Sequence, residues 1–259
     1  MKEDRLFLVT NDDGIRARGL DALIEVVRPY GKVFVIAPEE GQSGMSHAIT
    51  VKFPIRIRKV HEEKGLIKYS SNGTPVDCVK LALNKLLDRK PDMILSGINH
   101  GSNSSASVLY SGTMAAAIEG CINGIPSIGF SLLDYSPDAN FASIIKYVER
   151  IVRQSLEKGI PGETCLNVNI PVNTYHKIRG IRVCRQNKGM WKEEFDHRTD
   201  PQNRDYFWLT GEFRNLEPEA PDTDEWALSN NYISIVPVHV DLTAYRAIEE
   251  LREWEIESG

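Results

Sequence analysis

The sequence predicts an α/β fold: a doubly wound, mostly parallel sheet with a C-terminal extension of strands, a projecting hairpin and a helix. Three observations lead there. Short strand-like runs recur at residues 6–9, 33–37, 92–95 and 126–131. Between them, apolar residues return at helical spacing. Gly, Pro, Asn and Asp punctuate the junctions. Strand, helix and strand alternating in this way are the signature of βαβ units around a parallel sheet.

Taken in order, residues 6–9 are continuously apolar and bounded by polar residues, as a buried strand is. Leu20, Leu23, Ile24 and Val27 give the first helix one apolar stripe, and Pro29 closes it. Residues 33–37 form the second strand, stopped by Pro38. Residues 49–60 and 66–69 have strand-like composition and suggest an extended hairpin at the sheet edge. Thr74 and Pro75 are placed as N-cap and first residue of a helix whose stripe is Val76, Val79, Leu83 and Leu86. A strand at 92–95 precedes a helix around Ala115–Ile118, where small residues allow close packing on a sheet. Residues 126–131, 165–170, 181–184 and 231–236 are further strands, and 141–156 is an amphipathic helix. The polar, aromatic stretch 185–228, with Trp191, Phe195, Tyr206, Phe207 and Trp208, is expected to project as a hairpin or long loop, a candidate for substrate specificity or subunit contact. Residues 242–254 form a last helix, with Tyr245, Ile248, Leu251 and Trp254 on one face and in need of a partner. Residues 1–131 are read as the catalytic core and 132–259 as the part that completes the fold and carries the segments for oligomerisation.

In an open α/β sheet, ligands bind outside the carboxyl ends of the strands. The first strand ends in Asn11, Asp12, Asp13 and Gly14. Two adjacent carboxylates repel each other, and a hard divalent cation relieves the repulsion. An ordinary turn uses the same residue types, so the stretch alone leaves both readings open. The loop after the second strand carries Ser43 between Gly41 and Gly44, able to offer a hydroxyl to an ion or simply to be flexible. A Gly-x-Ser-x-Gly elbow would need glycine where Met45 stands. After the strand at 92–95, Asn99 can offer an amide oxygen to a cation, with His100, Ser102 and Asn103 as polar neighbours. His100 is an acid–base candidate or a plain hydrogen-bonding residue. Ser111, Gly112 and Thr113 open a helix whose first N–H groups and dipole suit a phosphate. A helix capped by Ser111 is the plain alternative, although the reciprocal capping box fails at Met114.

The whole chain narrows the classes. With 259 residues it can bury a sizeable core. Its net charge of -5 gives no basic field for a nucleic acid polymer. Cys78, Cys121, Cys165 and Cys184 form no Cys-x-x-Cys pair and suit buried thiols in a reducing, cytoplasmic setting. The N-terminus leads directly into a strand, so no signal peptide is expected, and no apolar run approaches the ~20 residues that span a membrane. A nicotinamide-dependent oxidoreductase would show Gly-x-Gly-x-x-Gly after the first strand, and a P-loop NTPase would show its Lys-Ser/Thr signature; neither is there. A non-catalytic nucleotide-binding protein, or a response regulator phosphorylated on an aspartate, would share the clustered carboxylates.

The motifs Asn11-Asp12-Asp13-Gly14, Ala37-Pro38, Gln42-Ser43-Gly44, Asn72-Gly73-Thr74-Pro75, Ser96-Gly97-Ile98-Asn99 and Tyr110-Ser111-Gly112-Thr113 resemble those of the SurE family, the survival-protein-E nucleotidases. They run in order through the first half of the chain. The resemblance implies a Rossmann-like core and a divalent-metal-dependent 5'-nucleotidase, also acting on other nucleoside monophosphates, 3'-monophosphates among them, and short polyphosphate. It implies one cation per subunit, magnesium or manganese, held by Asp12, Asp13, Ser43 and Asn99. It implies phosphate contacts at Ser111, Gly112 and Thr113, to which Asn103 is added here. It implies a homodimer or homotetramer with exchanged C-terminal segments. Two mechanisms are then open, with Asp12 and Asp13 as the catalytic groups. In one, water attacks phosphorus in line and an aspartate accepts its proton. In the other, an aspartate attacks and forms an aspartyl-phosphate. The first is favoured, because the charge of a ligating carboxylate is already engaged.

Overall fold

The computed structural model describes residues 5–172 and 177–254. Residues 1–4, read above for the absence of a leader, lie outside them. Its elements are β1 (Leu6–Thr10), α1 (Arg18–Val27), β2 (Lys32–Pro38), β3 (Ile57–Glu63), β4 (Leu66–Ser71), α2 (Pro75–Leu81), β5 (Met93–His100), α3 (Gly112–Ile122), β6 (Ser127–Leu132) and α4 (Ile145–Lys158). There follow β7 (Thr164–Ile170), β8 (Gly180–Val183), β9 (Gly189–Lys192), β10 (Phe195–Thr199), β11 (Asp205–Leu209), β12 (Glu212–Asn215), α5 (Asp224–Ser229), β13 (Tyr232–His239) and α6 (Tyr245–Arg252).

Nine strands make one sheet in the order β3-β4-β2-β1-β5-β6-β7-β13-β8. From β4 to β7 all neighbours are parallel. β3 pairs antiparallel at one edge, and β13 pairs antiparallel with β7 near the other. The doubly wound sheet is therefore as the sequence predicts. Strand order reverses at β1, with β2 on one side and β5 on the other. That reversal opens the crevice where such sheets bind ligands.

Alternation along β1 feeds two cores. Phe7 and Val9 pack with Leu20 and Leu23 of α1 and Val148 and Val152 of α4. Leu8 points the other way, into a cluster with Cys78 and Val79 of α2 and Ala116 of α3. All are buried. Each large aliphatic or aromatic side chain among them contributes about 1.5–3 kcal/mol by leaving water. The four cysteines are buried free thiols, as expected. No helix among the described residues is long and apolar enough to cross a membrane.

Several boundaries differ from expectation. Only the second part of the 49–60 stretch is a strand: residues 49–56 are irregular and β3 begins at Ile57. Pro54 has no N–H to give a ladder. The segment is pinned instead by Thr50 N–H to Asp77 Oδ1 (3.1 Å) and Arg56 N–H to Asn72 Oδ1 (2.7 Å). Conversely, β5 runs on through His100, past the expected end at Leu95. The helix at 141–156 opens with a separate 3-10 turn over Phe141–Ser143 before α4. Residues 189–215 form a hairpin arm, β9 with β12 at its root and β10 with β11 beyond. The short helix α5 was not foreseen.

Candidate active site

The turn after β1 is shaped by its own side chain. Asn11 Nδ2 donates to Gly14 O (3.0 Å) and Gly14 N–H donates to Asn11 Oδ1 (3.2 Å). Gln42 N–H donates to Asp12 O (2.7 Å), and Ile15 N–H to Pro38 O (2.8 Å). The Ser43 loop is thus stitched to the acidic turn through backbone alone. Asp12 is buried and Asp13 half-buried. Burial pushes the Asp12 carboxyl above the ordinary range, against hydrogen bonds that lower it, the Thr113 hydroxyl first. Asp13 is pushed up to about 6, by burial first and by the neighbouring Asp12 charge second, with the His100 N–H to Asp13 Oδ2 contact (3.2 Å) acting the other way.

The start of α3 meets Asp12 directly. Thr113 Oγ1 donates to Asp12 Oδ1, and the backbone N–H groups of Gly112 and Thr113 also hold that carboxylate. Ser111 caps the helix by accepting Met114 N–H (3.0 Å). Several donors expected to await a phosphate are therefore shared with Asp12. The approach requires glycine at 112: a Cβ there would lie 2.8 Å from Asp12 Cβ and 3.0 Å from Asp12 Oδ2. A carboxylate at a helix N-terminus is stabilised by the free N–H groups and the macrodipole.

β5 delivers Asn99. Its register against β6 shifts between Ser96 and Asn99. Gly97 takes φ 121° there, and a Cβ would lie 2.4 Å from Phe130 O. Such a shift re-aims the side chains that follow. Asn99 Nδ2 donates to His100 O (3.2 Å) and Gly101 O (3.0 Å), which fixes the amide and leaves Oδ1 as its available acceptor. Asn103 is held by Asn169 Oδ1 on its N–H (2.8 Å) and by Ser131 Oγ on its Nδ2 (2.8 Å). His100 packs edge-on against Phe141 with Nδ1 3.3 Å from Asp134 O.

Asp12, Ser43, Asn99, His100, Ser102, Asn103 and Ser111 line one cavity of about 410 Å³. Asp13 adjoins it through the His100 backbone. Gly112 and Thr113 lie behind Asp12. Trp191, Glu194, Leu209 and Thr210 of the hairpin arm line the same cavity. The sequence marks the stretch that holds them for substrate specificity or subunit contact, but nothing in it singles out Glu194, Leu209 or Thr210. Among the described residues no group of three or more His, Cys, Asp or Glu gathers. The cluster here is two carboxylates, an amide oxygen and a hydroxyl.

The family model described as "Survival protein SurE" matches residues 7–193. The chain belongs to the SurE family. It is 52% identical to the 5'-nucleotidase SurE of Flavobacterium psychrophilum, over 97% of this chain and 98% of that one. It is 49% identical to the 5'-nucleotidase SurE of Phocaeicola vulgatus, over 99% of each. The crystal structure of the SurE protein from Aquifex aeolicus superposes with a TM-score of 0.83 at 39% identity, covering 96% of this chain and 99% of that chain. The SurE match reaches past the core into the root of the hairpin arm, ending just after β9. α5 lies beyond it, and ties the same neighbourhood together: Asp224 accepts Ser105 N–H (2.8 Å) and Asn187 N–H (2.9 Å), and Glu225 accepts the Ser104 hydroxyl. The signal for α5 was Thr223 and Asp224 ahead of an apolar run, an N-cap pattern submerged in a polar stretch.

Proposed function

We propose that the chain is a divalent-metal-dependent phosphomonoesterase that hydrolyses nucleoside 5'-monophosphates to nucleoside and phosphate. The observation that carries this is the meeting of Asp12 with the N-terminus of α3 inside a cavity also lined by Asn99 and Ser43. Names of close relatives, 5'-nucleotidase in each case, support the substrate class.

The donor set fits a hard cation. Asp12, Asp13, Asn99 and Ser43 offer oxygen only, and a cation beside Asp13 would offset the burial and the Asp12 charge that raise its carboxyl. These four residues would hold the ion. When bound, it polarises the phosphoryl oxygens and makes water a better nucleophile. The chain itself supplies the geometry. Thr113 and the α3 amides hold Asp12 in one orientation, so its remaining lone pairs face the cavity in a fixed direction. Ser111 and the start of α3 present positive potential to the transferring phosphoryl group. Asn103, locked by Asn169 and Ser131, orients a phosphoryl oxygen. Asp12 or Asp13 takes the proton from the attacking water. Activity on 3'-monophosphates and short polyphosphate belongs to the same proposal.

A homodimer or homotetramer with exchanged C-terminal segments is supported by α6, which buries none of its residues, and by Phe195, Phe207 and Trp208 exposed on the arm. Free, buried thiols support a cytoplasmic setting. Phosphate release from nucleoside 5'- and 3'-monophosphates and tripolyphosphate tests the activity, measured after chelation and after return of magnesium, manganese or calcium. Release from 5'-monophosphates restored by metal is expected. Release indifferent to chelator, or none with any metal, contradicts it.

A further inference from the structure

We infer that Trp191, at the root of the hairpin arm, is a specificity-determining residue that receives the nucleoside base of the substrate. The inference rests on the proposed nucleotidase reading and deepens it. The lining joins two kinds of surface: Asp12, Asn99 and Ser111 are polar, while Trp191 and Leu209 of the arm bring apolar surface beside the polar Glu194 and Thr210. A substrate that fills both must join a phosphate to a planar or apolar group.

The indole is fixed rather than loose. Trp191 packs edge-to-face against Phe213 across the β9–β12 pair, ring centroids 5.8 Å apart at 67°. Phe213 in turn lies on Gly189, where a Cβ would be 2.3 Å from its ring, and Gly189 abuts Ser105. The root of the arm is thus seated on the chain that leads into α3, the helix whose start meets Asp12. An immobilised aromatic side chain is a stacking platform for a base, tolerant of which base it is. Among the described residues lining the cavity none is Lys or Arg, and Glu194 is an acid. A neutral base and ribose need no counter-charge from this lining.

The test compares adenosine 5'-monophosphate with ribose 5-phosphate, which lacks the base. For Trp191→Leu, kcat/KM on the nucleotide is expected to fall about ten-fold, as loss of one base–aromatic stack does. On ribose 5-phosphate it is expected to stay within two-fold. Trp191→Phe should recover most of the loss. Equal losses on the two substrates, or no loss on either, overturn the inference. Tryptophan fluorescence titrated with adenosine reads the subsite independently of turnover, since adenosine has no phosphate to release. Quenching in the unsubstituted chain that disappears in Trp191→Leu supports the subsite even if phosphate release fails. Quenching unchanged by the substitution, or absent in both chains, overturns it. Absence of release from either phosphate ester, with quenching intact, would count against the nucleotidase reading alone.

Discussion

Asp12 accepts from a threonine hydroxyl and from backbone N–H groups at the start of α3, yet burial still leaves its carboxyl above the ordinary range. Asp13, beside it, is pushed up to about 6 from 3.8. The consequence for stability has a definite sign. Between pH 3.8 and about 6, the folded chain keeps a proton on Asp13 that the unfolded chain has released. The metal-free protein is therefore expected to lose stability as pH rises through that window and to level off above it. Asp12, shifted the same way, adds to the trend. A divalent cation favours the charged carboxylates, so its stabilisation should be larger at pH 7 than at pH 4.5. Thermal melts with chelator and with manganese across this range check the point. A metal-free melting temperature that climbs from pH 4.5 to 6.5 would go against it, because these two acids would then be charged without penalty.

At the scale of elements, what could be read from sequence was what short-range chemistry enforces. Thr74 caps α2 with Asp77 completing the reciprocal box, and Pro75 takes the first turn. The apolar runs became the central strands, because a strand covered on both faces has to be apolar throughout. Asp12, Ser43, Asn99, Asn103 and Ser111 could be collected in advance because parallel strands put all their exits on one rim. The engagement of Asp12 by Thr113 could not, since it joins residues 101 positions apart and depends on the absence of a Cβ at Gly112. The β5 register shift was likewise hidden, as Gly97 reads like any turn glycine. The arm was legible only as a polar stretch with aromatics, because its pairing is between two-stranded segments with little burial to impose a period. The last helix is shorter than the expected 242–254: α6 presents Tyr245 and Leu251 to solvent and Trp254 follows just beyond it, at 66%, 42% and 60% exposure. Light scattering on the full chain is expected to give a dimer or tetramer, and Leu251→Ser with Trp254→Ser to raise the monomer fraction. A monomer for the unsubstituted chain would remove the case for exchanged C-terminal segments.

Across the whole molecule, the reversal of strand order at β1 converts a list of loops into one site. The exits of β1, β2 and β5 and the start of α3 converge there, and strands after β6 extend the same sheet until the chain returns an arm over the cavity. Membership of the SurE family accords with that arrangement and extends over nearly the full length of the chain. The most direct measurement is phosphate release from adenosine 5'-monophosphate by the unsubstituted chain and by Asp12→Asn, with manganese saturating and thermal melts confirming that both fold. Release from the first and a loss of at least about a hundred-fold in the second, on the scale of removing one electrostatic catalytic group, is the result expected of a site built on Asp12. Equal release from both would contradict it.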